Sequence, residues 1–204
     1  MKKINCFKGF FKVVITLLLL SNFNAFAQKT NIFIVRVAEK SQTVLAASNV
    51  KPGLTSEGHD RAEALVKILK REKIQTIYIP TGKPAEQTAA PLAEKVKVLP
   101  RVYTADSVSA FISKITRNFQ GNNVLIVAEQ KDLIQMISAL GVKAPFDGLA
   151  NDDYDLLFSI SINENDAREI FITHYGKKHH ESEIPQEYNI EKYNPSFIPP
   201  VRSF

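Results

Sequence analysis

The chain is short of cysteine. Its single cysteine, Cys6, lies in the basic leader ahead of the first apolar run, so it cannot be the lipidated cysteine that follows such a run. Beyond Cys6 there is neither a disulfide framework nor thiol chemistry to consider. A hydrophobic stretch of membrane-spanning length is lacking too. Val13 to Leu20 falls well short of the roughly 20 residues that a spanning helix needs. With Lys2, Lys3, Lys8 and Lys12 before it and Ala25-Phe26-Ala27 after it, the run has the layout of a cleaved export signal. Residues 1–27 are therefore expected to be removed, leaving Gln28 as the mature N-terminus in the periplasm or outside the cell, with no membrane attachment.

An excess of charge is also lacking once the leader is set aside. The full chain carries 26 basic and 21 acidic residues, net +5, and four of the lysines belong to the leader. What remains is close to neutral, with no basic stripe interleaved with aromatics. That gives no electrostatic reason to expect nucleic acid or an anionic membrane as partner. The remaining length suits one domain with a core of its own.

What is present is an alternation of strand and helix patterns. Ile32 to Val37 is a continuous apolar run, as expected of a strand covered on both faces. A long polar loop, Ala38 to Gly53, leads to Thr55, a good N-cap, and to a helix whose apolar face is Ala62, Leu65, Val66 and Leu69. Ile74 to Ile79 reads as the second strand. A helix through "PAEQTAAPLAEKV" follows, with a kink or restart expected at Pro91. Asp106 is the expected cap of a third helix with Val108, Phe111, Ile112, Ile115 and Phe119 on one face. Val124 to Val127 is a buried strand, followed by a helix facing inward through Leu133, Met136, Ile137 and Leu140. Leu156 to Ile162 and Glu169 to Thr173 pair as antiparallel strands. The expected fold is α/β: a three-layer α/β/α sandwich with a mostly parallel central sheet and an antiparallel edge. Residues 28–176 form the domain, and 177–204 form an extended tail that wraps it or is partly disordered.

Two of the strands deliver charge to their carboxyl ends, where open α/β sheets place their sites. "VRVAEK" brings Arg36 and Glu39, and "NVLIVAEQ" brings Glu129. These motifs, with "GLTSEGHDRAEAL" and "IYIPTGKPAEQTAAPLA", resemble the histidine phosphatase superfamily, the phosphoglycerate mutase-like fold, over nearly all of Thr30 to Gly176. The resemblance implies a pocket in which arginine forks and imidazoles hold a phosphoryl group and a histidine attacks it. Of that set Arg36 is kept, and Glu39 keeps the acidic residue of the first motif. Val37 stands at the nucleophile's place, Pro84 at the second arginine's, and Glu129 at the second histidine's. The resemblance therefore implies a dismantled phosphatase site.

Arg36, Val37, Pro84 and Glu129 are expected to cluster, with Glu39 nearby. In the vacated pocket an Arg36–Glu129 ion pair is expected, because an unpaired buried arginine is costly. The alternative is a repurposed hydrolase in which Glu39 and Glu129 work as a carboxylate pair. Such a pair could also hold a divalent cation, but no metal or cofactor is expected. His59 is expected to face solvent, and His174, His179 and His180 to lie in or near a solvated tail. The function expected is non-catalytic, with Arg36, Glu39 and Glu129 contacting an unidentified small ligand or protein partner.

Overall fold

A computed structural model describes residues 29–41, 52–104, 107–118 and 121–188. The export signal expected over 1–27, Asp106, Phe119 and the tail beyond 188 lie outside the described residues.

The first strand, β1 (Thr30–Arg36), explains its own sequence. Its side chains alternate between two cores. Ile32 and Ile34 pack on one side, and Phe33 and Val35, with Val37 just beyond the strand, pack on the other. A continuous apolar run is what such double burial requires. The remaining elements are α1 (Ser56–Leu69), β2 (Ile74–Ile79), α2 (Lys83–Val96), β3 (Arg101–Val102), α3 (Val108–Asn118), β4 (Asn123–Ala128), α4 (Gln130–Ala139), β5 (Leu156–Ile162) and β6 (Arg168–His174). They build one six-stranded sheet in the order β3-β2-β4-β1-β5-β6. The pairs β2/β3, β2/β4 and β1/β4 are parallel, whereas β1/β5 and β5/β6 are antiparallel. Leu65, Leu69, Ala89 and Leu92 place α1 and α2 on one face of the sheet, and Ile112, Ile115, Leu133 and Met136 place α3 and α4 on the other. The fold is the expected three-layer α/β/α sandwich with an antiparallel edge.

Local chemistry accounts for several boundaries. Thr55 caps α1, its hydroxyl accepting from Gly58 N at 3.0 Å. Pro84 lies in the first turn of α2, where its missing N–H costs nothing. Pro91 does not divide that helix, which runs unbroken from Lys83 to Val96. At α3, the hydroxyl of Ser107 accepts from Ala110 N at 3.3 Å, the geometry of an N-cap. Among the described residues no helix is long and apolar enough to cross a membrane.

Candidate functional site

The carboxyl ends of β1 and β4 are locked in register. Arg36 lies opposite Ala128, and Val37 N donates to Ala128 O at 2.9 Å, which brings Val37 beside Glu129. The first turn of α2 joins them. Ala38 N donates to Thr88 Oγ1 at 3.1 Å, and that hydroxyl donates to Pro84 O at 2.8 Å. Helix α1 closes the other side. Thr55 N donates to Glu39 O, and Gly58 lets the helix approach so closely that a Cβ there would meet Glu39 O at 2.4 Å.

Each side chain of this cluster has a definite environment. Val37 is 1% exposed and belongs to the core between the sheet and helices α1 and α2. Arg36 turns to the segment before β5. Its Nη1 donates to the carbonyls of Asn151 (2.8 Å), Ala150 and Asp153 (both 3.3 Å), and its guanidinium carbon lies 3.8 Å from the ring centroid of Tyr154. Burial lowers the Arg36 pKa from its ordinary value, against the opposing influence of Tyr154, Asp153, Glu129 and Glu39.

The expected Arg36–Glu129 ion pair does not form. Glu129 takes Lys40 instead, at 2.6 Å and half in solvent. The reason is positional. Arg36 follows Ile32 and Ile34 along β1 and finds carbonyls of the 150–153 segment, whereas Glu129 sits just before α4 and reaches the lysine at the end of the β1 loop. The charge of Glu129 still acts on Arg36, so the two are neighbours without being partners.

Glu39 is held by a residue that sequence reasoning passed over. Arg61 donates from Nε to Glu39 Oε1 (2.8 Å) and Oε2 (3.0 Å), and from Nη2 to Oε1 (2.6 Å). Both side chains are buried, 3% and 8% exposed. Arg61 also donates to the carbonyls of Tyr175 and Lys177, joining α1, the β1 loop and the chain after β6. Burial pushes the Glu39 carboxyl upward, but the hydrogen bonds from Arg61 and His179 outweigh it and hold its pKa below the usual carboxylate range. A signal for Arg61 was available: with Gly58, Ala62, Leu65 and Leu69 it lies on the buried face of α1.

His179 and His180 are not solvated tail residues. His179 Nδ1 lies 3.0 Å from Glu39 Oε1, and its ring stacks on Tyr154 at 5.1 Å. His180 Nδ1 lies 2.7 Å from Asp155 Oδ2. Asp153, 1% exposed, fastens the same segment by accepting from the N–H groups of Glu181 and Ser182 and from the Ser182 hydroxyl. This strap is held by contacts more than 20 residues distant in sequence, which no local period reveals. His59 is exposed, as expected.

The result is a site filled from within. Arg36, Tyr154, His179, Glu39 and Arg61 form one connected group, and the 150–154 segment and the strap at 177–182 supply its contacts. Beside it a shallow groove of about 430 Å³ is lined by Glu129, Lys131, Ile134, Asp147 and Leu149 among others.

No protein-family model and no curated protein matches the chain. Solved structures do. The protein histidine phosphatase SixA, complexed with tungstate, is 18% identical with a TM-score of 0.54, over 71% of this chain and 96% of that one. Mycobacterial glucosyl-3-phosphoglycerate phosphatase is 13% identical with a TM-score of 0.53, over 74% and 100% of the two chains. A protein described as mycobacterial hydrolase 1 is 13% identical with a TM-score of 0.55, over 73% and 100%. At these identities the likeness establishes the fold: the chain is built on the scaffold that these phosphatase structures share.

Proposed function

We propose that this chain is an exported, non-catalytic member of the histidine phosphatase superfamily, a pseudophosphatase that acts by binding a small ligand or a protein partner. The observation that carries the reading is the state of Arg36. It is the one cation of the phosphate pocket that the motifs retain, and its Nη1 is shared among three carbonyls of its own chain under the Tyr154 ring. A phosphoryl group needs several converging donors. Here Val37 sits in the core at the nucleophile's place, Pro84 offers neither charge nor N–H, and Glu129 is an anion. Fold alone does not confer the reaction.

The two carboxylates of the alternative mechanism have separate partners, Arg61 and His179 for Glu39, Lys40 for Glu129. Turnover of phosphate esters by the purified mature chain, from acid to neutral pH, is the test. The expected result is none above the uncatalysed rate. Turnover that disappears in Glu129→Gln would overturn the reading and assign the carboxylates to catalysis.

A further inference from the structure

We infer that Asp155, His174 and His180 form a binding site for one divalent transition-metal ion of the zinc class, and that the ion fastens the C-terminal strap against Tyr154, whose ring packs on Arg36. The site is independent of whether the pocket turns over phosphate esters. Asp155 and His174 are set by the sheet. Asp155 immediately precedes β5, His174 ends β6, Leu156 pairs with His174, and Tyr175 N donates to Asp155 O at 2.9 Å. The third residue, His180, comes from the strap. Its Nδ1 lies 2.7 and 3.0 Å from the two oxygens of Asp155, and His174 Nδ1 lies 3.5 Å from Oδ1. One ligand atom from each of the three falls within 4.8 Å of the others. In a tetrahedral zinc site, with bonds of about 2.0–2.1 Å, neighbouring ligand atoms stand about 3.3 Å apart; the two rings stack at 4.1 Å and 21°, so binding turns them apart until each in-plane lone pair meets the ion.

Three further features suit an ion. Asp155 is 1% exposed and also accepts from His179 N at 3.1 Å, the type of outer contact that orients a ligating carboxylate. Two imidazoles with one carboxylate favour zinc and its neighbours over magnesium or calcium, which prefer oxygen donors alone. His174 is partly exposed, which gives the ion a route in and leaves a fourth position for water.

The consequence reaches the candidate site through one peptide bond. His180 is adjacent to His179, whose ring meets both Glu39 and Tyr154, and the Tyr154 ring lies on Arg36. An ion holding His180 to the sheet therefore holds the strap in place.

The chain has four histidines, so four substitutions cover them all. Tag-free, chelator-stripped protein is titrated with Zn²⁺ by calorimetry, and with Co²⁺ followed by its visible absorption. The expected result is one equivalent bound, a tenfold or greater loss of affinity in both His174→Ala and His180→Ala, and little change in His59→Ala and His179→Ala. A hundredfold excess of Zn²⁺ over Kd should raise Tm by roughly 5–10 °C, while Mg²⁺ does not. His174 is at the surface end of β6, so its variant should fold even if an Asp155 variant does not. Failure to bind Zn²⁺ would overturn the inference. So would binding that depends on His179 and His180 but ignores His174, the mark of an adventitious adjacent pair.

Discussion

Replacing Arg61 by methionine keeps much of its apolar stem and removes its charge. The Glu39 carboxylate, 8% exposed, would be left in the interior with the His179 ring, 3.0 Å away, as its remaining side-chain partner among the described residues. Breaking a buried ion pair from one side typically costs about 3–5 kcal/mol, because the remaining charge is stranded. His179 is partly exposed and can supply some compensation, so the lower figure, about 3 kcal/mol, is expected. For a domain of this size that is a fall in Tm on the order of 10 °C. Urea denaturation followed by far-UV circular dichroism measures it. The double variant Arg61→Met/Glu39→Leu should recover a large part of the loss, since neither charge of the pair is then left stranded in the interior. The pH dependence carries a matching sign. The folded Glu39 pKa lies below its unfolded value, so the pair's contribution is present above about pH 4–5 and is lost as pH falls through the folded pKa. The Arg61→Met protein should lack that component of acid destabilisation. A loss below about 1 kcal/mol, or a double variant as unstable as the two single losses combined, would refute the reasoning.

Other substitutions have equally definite signs. Alanine normally improves a helix over glycine by about 1 kcal/mol, yet Gly58→Ala should destabilise, by about 1–3 kcal/mol, because its Cβ would strike Glu39 O. A gain in Tm would show that the β1 loop and α1 are not so close. Tyr175→Phe removes a buried hydroxyl that has no hydrogen-bond partner among the described residues, so stability should hold or rise by up to about 1 kcal/mol in the same urea assay. A clear loss would mean that the hydroxyl is bonded. Lys40→Ala breaks a half-exposed pair and should cost less than about 1 kcal/mol; a larger cost would make Glu129 a structural residue.

The scaffold was legible because its signals are local. The double-sided apolar run of β1, the threonine cap and apolar stripe of α1, and the paired runs of β5 and β6 are each determined within a few residues. Pro91 did not restart the helix because one lost N–H within a packed helix can be tolerated. The site was legible in part. Strand ends predicted where Arg36 and Glu129 would lie, but not which way their side chains would turn, since the competing partners come from far along the chain. Arg36 took carbonyls more than 110 residues away. The strap was missed for the same reason: His179 and His180 gain meaning only from Glu39, Tyr154 and Asp155. An arginine on the buried face of α1 was the sole local sign that something anionic lay beneath.

Whether Arg36 is committed to its own chain is tested most directly by titrating the natural protein with inorganic phosphate, following the Arg36 side-chain resonances by NMR. The expected result is no saturable shift at millimolar phosphate, and no difference between the natural chain and Arg36→Met in calorimetric binding. Saturable phosphate binding that disappears in Arg36→Met would contradict it, and would mean that the pocket still opens to a phosphoryl group.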